Sequence, residues 1–134
     1  MGAENNSDRA TDQRIIQTIL RTIEEGRAPP ILAEKRDEFA KLIAKCESGE
    51  YGGDLWELMN ANPEIGADAI MITVRKSLDF VRDQASKYAA IKSQRALSEA
   101  EKRYGNEILL PLLESLSLLL SRVRGKKREG SGDG

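Results

Sequence analysis

The chain has 134 residues, 40% apolar and 32% charged, with 21 basic and 22 acidic side chains and a formal net charge of −1. That length supports one domain around one modest core. No histidine and a single cysteine exclude an intrachain disulfide framework, Ser–His or Cys–His catalysis and the usual zinc site.

Charge is unevenly spread. Residues 1–70 hold 8 basic and 14 acidic side chains, and residues 71–134 hold 13 basic and 8 acidic ones. The balances are −6 and +5, which points to a partner for one half or to head-to-tail contact between copies.

Residues 1–10 read as a polar tail. They show no basic stretch followed by an apolar run, so no secretory signal is expected, and Asn6 stands where a myristoylation motif needs Ser or Thr. From Thr11 the pattern turns helical: Ile15, Ile16, Ile19, Leu20 and Ile23 share one face. Thr11 or Asp12 can cap this helix and Gly26 can end it. Pro29 and Pro30 then impose a stiff extended link. Residues 11–30 thus predict an arm whose Ile15, Ile19 and Ile23 pack on a neighbouring subunit.

A second helix is predicted from about Ile31 to Cys46, with Phe39, Leu42, Ile43 and Cys46 as its stripe. Cys46 reads as a small buried hydrophobe. Glycines mark Glu47–Asp54 as a loop. Asp54 caps a short helix bearing Leu55, Trp56, Leu58 and Met59. In "NANPEIG", Asn62 reads as the cap and Pro63 as the first position of the longest helix. Its seam is Ala67, Met71, Val74, Leu78, Val81, Ala85 and Tyr88, spaced by threes and fours. The seam ends at Tyr88. Ser98 with Glu101 permits a break near Leu97, and Gly105-Asn106 permits another. The preferred reading is a long helix to about Tyr104 and a last helix from Asn106 to Val123.

That last helix contains "ILLPLLESLSLLL", too short to span a bilayer and interrupted by Pro111 and Glu114. It has almost no polar face, so it must be covered nearly all round. The expectation is that its own chain covers part and another subunit the rest, through Leu112, Leu116 and Leu119. The alternative is a central helix in a monomeric bundle.

Chemistry-bearing constellations are scarce. No phosphate-cradling glycine loop is present, and the adjacent carboxylates Glu24-Glu25 and Asp37-Glu38 diverge on helix faces. The reading is non-enzymatic, with no cofactor and no metal. Basic residues are more suggestive. Arg75, Lys76, Arg82, Lys87, Lys92 and Arg95 face only Asp79 and Asp83 in that stretch. Arg122, at the end of the last helix, and Arg124, Lys126, Lys127 and Arg128 after it add to them. Positive charge at repeated spacing suits sequence-independent phosphate contact. The scarcity of interleaved aromatic residues counts against single-strand binding by stacking.

At "NANPEIGADAIMI" the chain resembles coat proteins of rod-shaped and filamentous archaeal viruses. The resemblance implies a small helical protein that multimerises around linear double-stranded DNA, with N-terminal helical arms wrapping the duplex. It carries over no functional residue.

The sequence therefore predicts an all-α bundle of four to five helices with an N-terminal arm. The expected parts are a tail (1–10), the arm and link (11–30), a body (31–124) and a basic, glycine-rich tail (125–134). The expected function is a self-assembling coat or nucleocapsid protein on double-stranded DNA, in a virion or the cytoplasm, partnered by itself or a related coat subunit. The alternative is a helical adaptor or small subunit of a larger complex, docking through Leu112, Leu116, Leu119 and the surface around Trp56.

Overall fold

The computed structural model describes residues 2–48, 51 and 54–132, with side chains described at 10–48, 51 and 54–123. The fold is all-α, with no strand among the described residues. Its helices are α1 (Gly2–Glu24), α2 (Pro30–Ala33), α3 (Arg36–Glu47), α4 (Leu55–Ala61), α5 (Ala67–Gln94), α6 (Glu99–Arg103) and α7 (Leu110–Gly132). A 3₁₀ turn at Pro63–Ile65 precedes α5, and a π-helical turn at Tyr104–Leu109 joins α6 to α7.

α1 begins at Gly2 rather than near Thr11. Asp12 is not its cap. It is fully buried and accepts a hydrogen bond from the Tyr51 hydroxyl and an ion pair from the Arg122 guanidinium. Gly26 ends the helix as expected, at φ 73°. Its left-handed backbone lets Gly26 N–H donate to the Ile23 carbonyl and Arg27 N–H to that of Thr22, both at 3.0 Å.

The helix expected over Ile31–Cys46 is two helices, broken at Lys35 (φ −99°, ψ 18°). The change of direction lets α2 pack on α5 while α3 packs on α1. Pro30 opens α2, where its missing N–H has no role. Of the predicted glycine loop, residues 49, 50, 52 and 53 lie outside the described residues. Asp54 caps α4 by accepting Glu57 N–H at 3.0 Å.

The start of α5 differs from expectation. Asn62 caps nothing; its side-chain amide donates back to the Leu58 carbonyl at 2.8 Å. Pro63 opens the 3₁₀ turn instead, and Gly66, left-handed at φ 72°, leads into α5. The seam holds: Ala67, Met71, Val74, Leu78 and Val81 are buried, and Ala85 and Tyr88 pack partly against the core.

α5 stops at Gln94, short of the expected end near Tyr104, because Ser98 and Glu101 form a complete capping box for α6. The Ser98 hydroxyl accepts Glu101 N–H at 3.1 Å, and the Glu101 carboxylate accepts Ser98 N–H at 2.8 Å. Gly105-Asn106 produces no break. Gly105 is buried beneath the Tyr88 ring, which occupies the space a side chain at 105 would need. Local widening to a π turn accompanies this close approach. α7 then continues past Val123 to Gly132.

α7 packs against α1, α4 and α5. That placement covers most of its circumference. Leu112, Leu116 and Leu119 are buried in the chain's own core, and so are Ile15, Ile19 and Ile23 of α1. The six residues expected at a subunit interface are therefore core residues. α1 is one of the bundle's main walls, not an arm left for a neighbour. Each such leucine or isoleucine, fully buried, contributes about 1.5–3 kcal/mol of transfer free energy. Only Leu110 and Leu118, at 43% and 37% exposure, are the exposed leucines of α7. Among the described residues, no helix is long and apolar enough to cross a membrane.

Candidate interaction face on α5

The basic residues of the second half do not form one face. Arg75, Lys76, Arg82, Lys87 and Lys92 are all exposed. At about 100° per residue, Asp79 and Asp83 fall between Arg75 and Lys87 on the outward side. Lys92 falls on the same side as Val74 and Leu78, beyond the end of the core. Lys87 pairs with Asp83 at 3.2 Å, one helical turn away.

Two of the expected phosphate contacts have other roles. Arg95 makes a two-pronged contact with Glu101, at 2.9 and 2.7 Å. It thereby holds the carboxylate that caps α6. Hydrogen bonding from Arg95 first, and from Ser98 N–H second, holds the Glu101 carboxyl down to about 2. Arg122 turns inward to Asp12. Arg124, Lys126, Lys127 and Arg128 lie along the α7 backbone, and their side chains are outside the described residues. Arg75, Lys76, Arg82 and Lys92 make no ion pair among the described residues.

The outward side of α5 also carries two large apolar side chains that the seam does not use. Ile72 is 50% exposed and Phe80 is 49% exposed. They stand eight residues apart with Lys76 midway, flanked by Arg75, Asp79 and Asp83. The signal was present in the sequence: both positions fall off the seam that ends at Tyr88.

The Asp12–Tyr51–Arg122 cluster is the other feature missed. It joins α1, the segment before α4 and α7, and no local sequence pattern marks such a long-range pairing. Next to it, Gln13 donates to the Cys46 carbonyl at 3.2 Å. Burial first, then the nearby charges of Asp12 and Glu47, push the Cys46 thiol up to about 12. A thiol so held is a poor nucleophile at neutral pH.

A cleft of about 530 Å³ lies where the turn after α1 meets α6 and the π turn. Glu25, Arg27, Arg103, Tyr104 and Glu107 line it, all exposed and of mixed sign. Among the described residues, no group of three or more His, Cys, Asp or Glu side chains is placed to hold a metal ion. No family model, curated protein or solved structure matches the chain.

Proposed function

We propose that this chain is a non-enzymatic helical adaptor that docks protein against the outward side of α5. The observation that carries the reading is the pair Ile72 and Phe80, each about half exposed within a mixed-charge surround. An apolar centre with an aromatic residue, ringed by arginine and charges of both signs, is the composition of protein interfaces. A surface built for phosphate has little use for Asp79 and Asp83 in its middle.

Coating of double-stranded DNA is the second reading. It is favoured by the exposed Arg75, Lys76 and Arg82, which make no ion pair among the described residues, and by the helical backbone that carries basic positions past Val123. The likeness to viral coat proteins in "NANPEIGADAIMI" belongs to this reading.

A photo-crosslinking residue placed at position 80, with a control at exposed Glu34, separates the two in cells of the source organism. A discrete protein adduct at 80 and none at 34 supports the adaptor. A nucleic-acid adduct supports the coat, and binding to duplex DNA should then weaken steeply with salt and be indifferent to sequence. Equal, diffuse labelling at both positions defeats the docking reading.

A further inference from the structure

The order of charges along α5 suggests what the docked protein is. From its N-terminal end the outward strip reads Asp68, Ile72, Arg75 and Lys76, Asp79 and Phe80, Asp83, then Lys87. Acid opens the strip, base follows, acid follows again and base closes it. Laid against its own reverse, such a pattern sets each acid against a base. We propose that a second copy of this chain docks there, α5 against α5 in antiparallel, about a two-fold axis level with Ser77 and Leu78. This inference rests on the reading of that side of α5 as a protein-docking surface.

The register follows from pairing opposite charges. With the axis between 77 and 78, Lys76 meets the second copy's Asp79, and Asp68 meets its Lys87. Arg75 comes level with the second copy's Phe80, where a guanidinium can lie over the ring. Ile72 falls one turn from that ring and covers it from the other side. Each contact occurs twice because the arrangement is isologous. Lys87 keeps its own Asp83 nearby at 3.2 Å and has the reach to share itself with the incoming Asp68. Asp83 falls opposite Ile72, the least favourable placement in this register. A parallel docking puts Arg75 and Lys76 on their own counterparts and Asp79 on Asp79, which like-charge repulsion opposes.

The strip also sets the strength. From Asp68 to Lys87 it is about 29 Å long at 1.5 Å per residue. With a helix face about 10 Å wide it buries about 300 Å² per copy, well under the roughly 800 Å² of a standard stable interface. The dimer is therefore weak, concentration-dependent and strengthened at low salt.

Sedimentation equilibrium of the full chain from low to high protein concentration, at low and high salt, tests this. The wild type should pass from monomer to dimer as concentration rises, at lower concentration when salt is low. Lys76→Glu alone and Asp79→Lys alone should each weaken association by about tenfold or more, since each places like charges together twice. The combination of both should restore it, because the pair is re-formed with its signs exchanged. Both positions are exposed, so the fold should tolerate the changes, and circular dichroism verifies that. A monomer at every concentration overturns the inference. So does a dimer indifferent to the single reversals, or one that the double reversal leaves as weak as the singles. A monomeric chain that still gives a discrete adduct with another protein at position 80 overturns self-docking alone and leaves the adaptor reading standing.

Discussion

α5 and α7 pack on each other, yet they dispose of their apolar side chains in different ways. α7 carries more leucine than one helix face can hold, but α1, α4 and α5 surround it and take up nearly all of that surface. α5 is covered on one side only, and on its open side Ile72 and Phe80 are large apolar side chains among charged and small residues. The number of apolar residues in a segment therefore says how deep it lies in its own core. An apolar residue out of phase with a charged face says more about a partner. The leucines of α7 mark the centre of the bundle.

The largest effects should come from the buried side of this contrast. Asp12→Ala removes the buried acceptor of the Tyr51 hydroxyl and the carboxylate that the half-buried Arg122 reaches. It should cost about 1–3 kcal/mol, because the buried Tyr51 hydroxyl loses its acceptor while Arg122 keeps some access to water. Urea denaturation measures it; a loss under 1 kcal/mol means the cluster is not important to stability. Leu116→Ala and Leu118→Ala then compare two sides of one helix. The first should cost about 2–5 kcal/mol, and the second well under half of that. Equal losses would show that the covered and open sides of α7 had been misassigned.

Smaller changes test the two helices more finely. Ser77 lies on the inner side of α5, fully buried, and its hydroxyl has no hydrogen-bond partner among the described residues. Ser77→Ala should raise stability by about 1 kcal/mol, since it removes an unsatisfied polar group. Phe80→Ser, on the outer side, should change stability by no more than about 0.5 kcal/mol while abolishing association. A large loss of stability there would make Phe80 a folding residue rather than a contact.

The least effect is expected at the α6 cap. Glu101 titrates at about 2 in the fold, below the ordinary value of about 4.3. A depressed carboxyl stabilises the fold above its unfolded pKa and loses that contribution as pH falls through the folded one. The cap should thus be intact at neutral pH and loosen progressively between about pH 4.3 and 2. Carboxyl NMR shifts at Glu101, with amide exchange at Ser98, follow it. An ordinary titration near 4.3 counts against the Arg95 contact.

Much of this was legible beforehand where one local rule sufficed. The stop at Gly26, the cap at Asp54, the seam from Ala67 to Tyr88 and the Ser98–Glu101 box each depend on residues a few positions apart. The failures share a different cause. Asp12 appeared to be a cap because its partners, Tyr51 and Arg122, are remote in sequence. Arg95 and Arg122 looked free for phosphate for the same reason. The isoleucines of α1 looked like an unused face because nothing local reveals that α3 and α7 cover them. The π turn was hidden because it needs Tyr88 to settle onto Gly105 from another helix.

The pairing of Asp12 with Arg122 has a bearing on how the chain acquires its shape. One member sits in α1 and the other in α7, 110 residues further along. α1 cannot complete its polar contacts until α7 has been synthesised. Its isoleucines likewise wait for α7. Contacts that span most of the sequence raise the contact order above that of a bundle whose neighbours are adjacent in the chain. The bundle should therefore fold only once α7 is available, and slowly for an all-helical fold of this length.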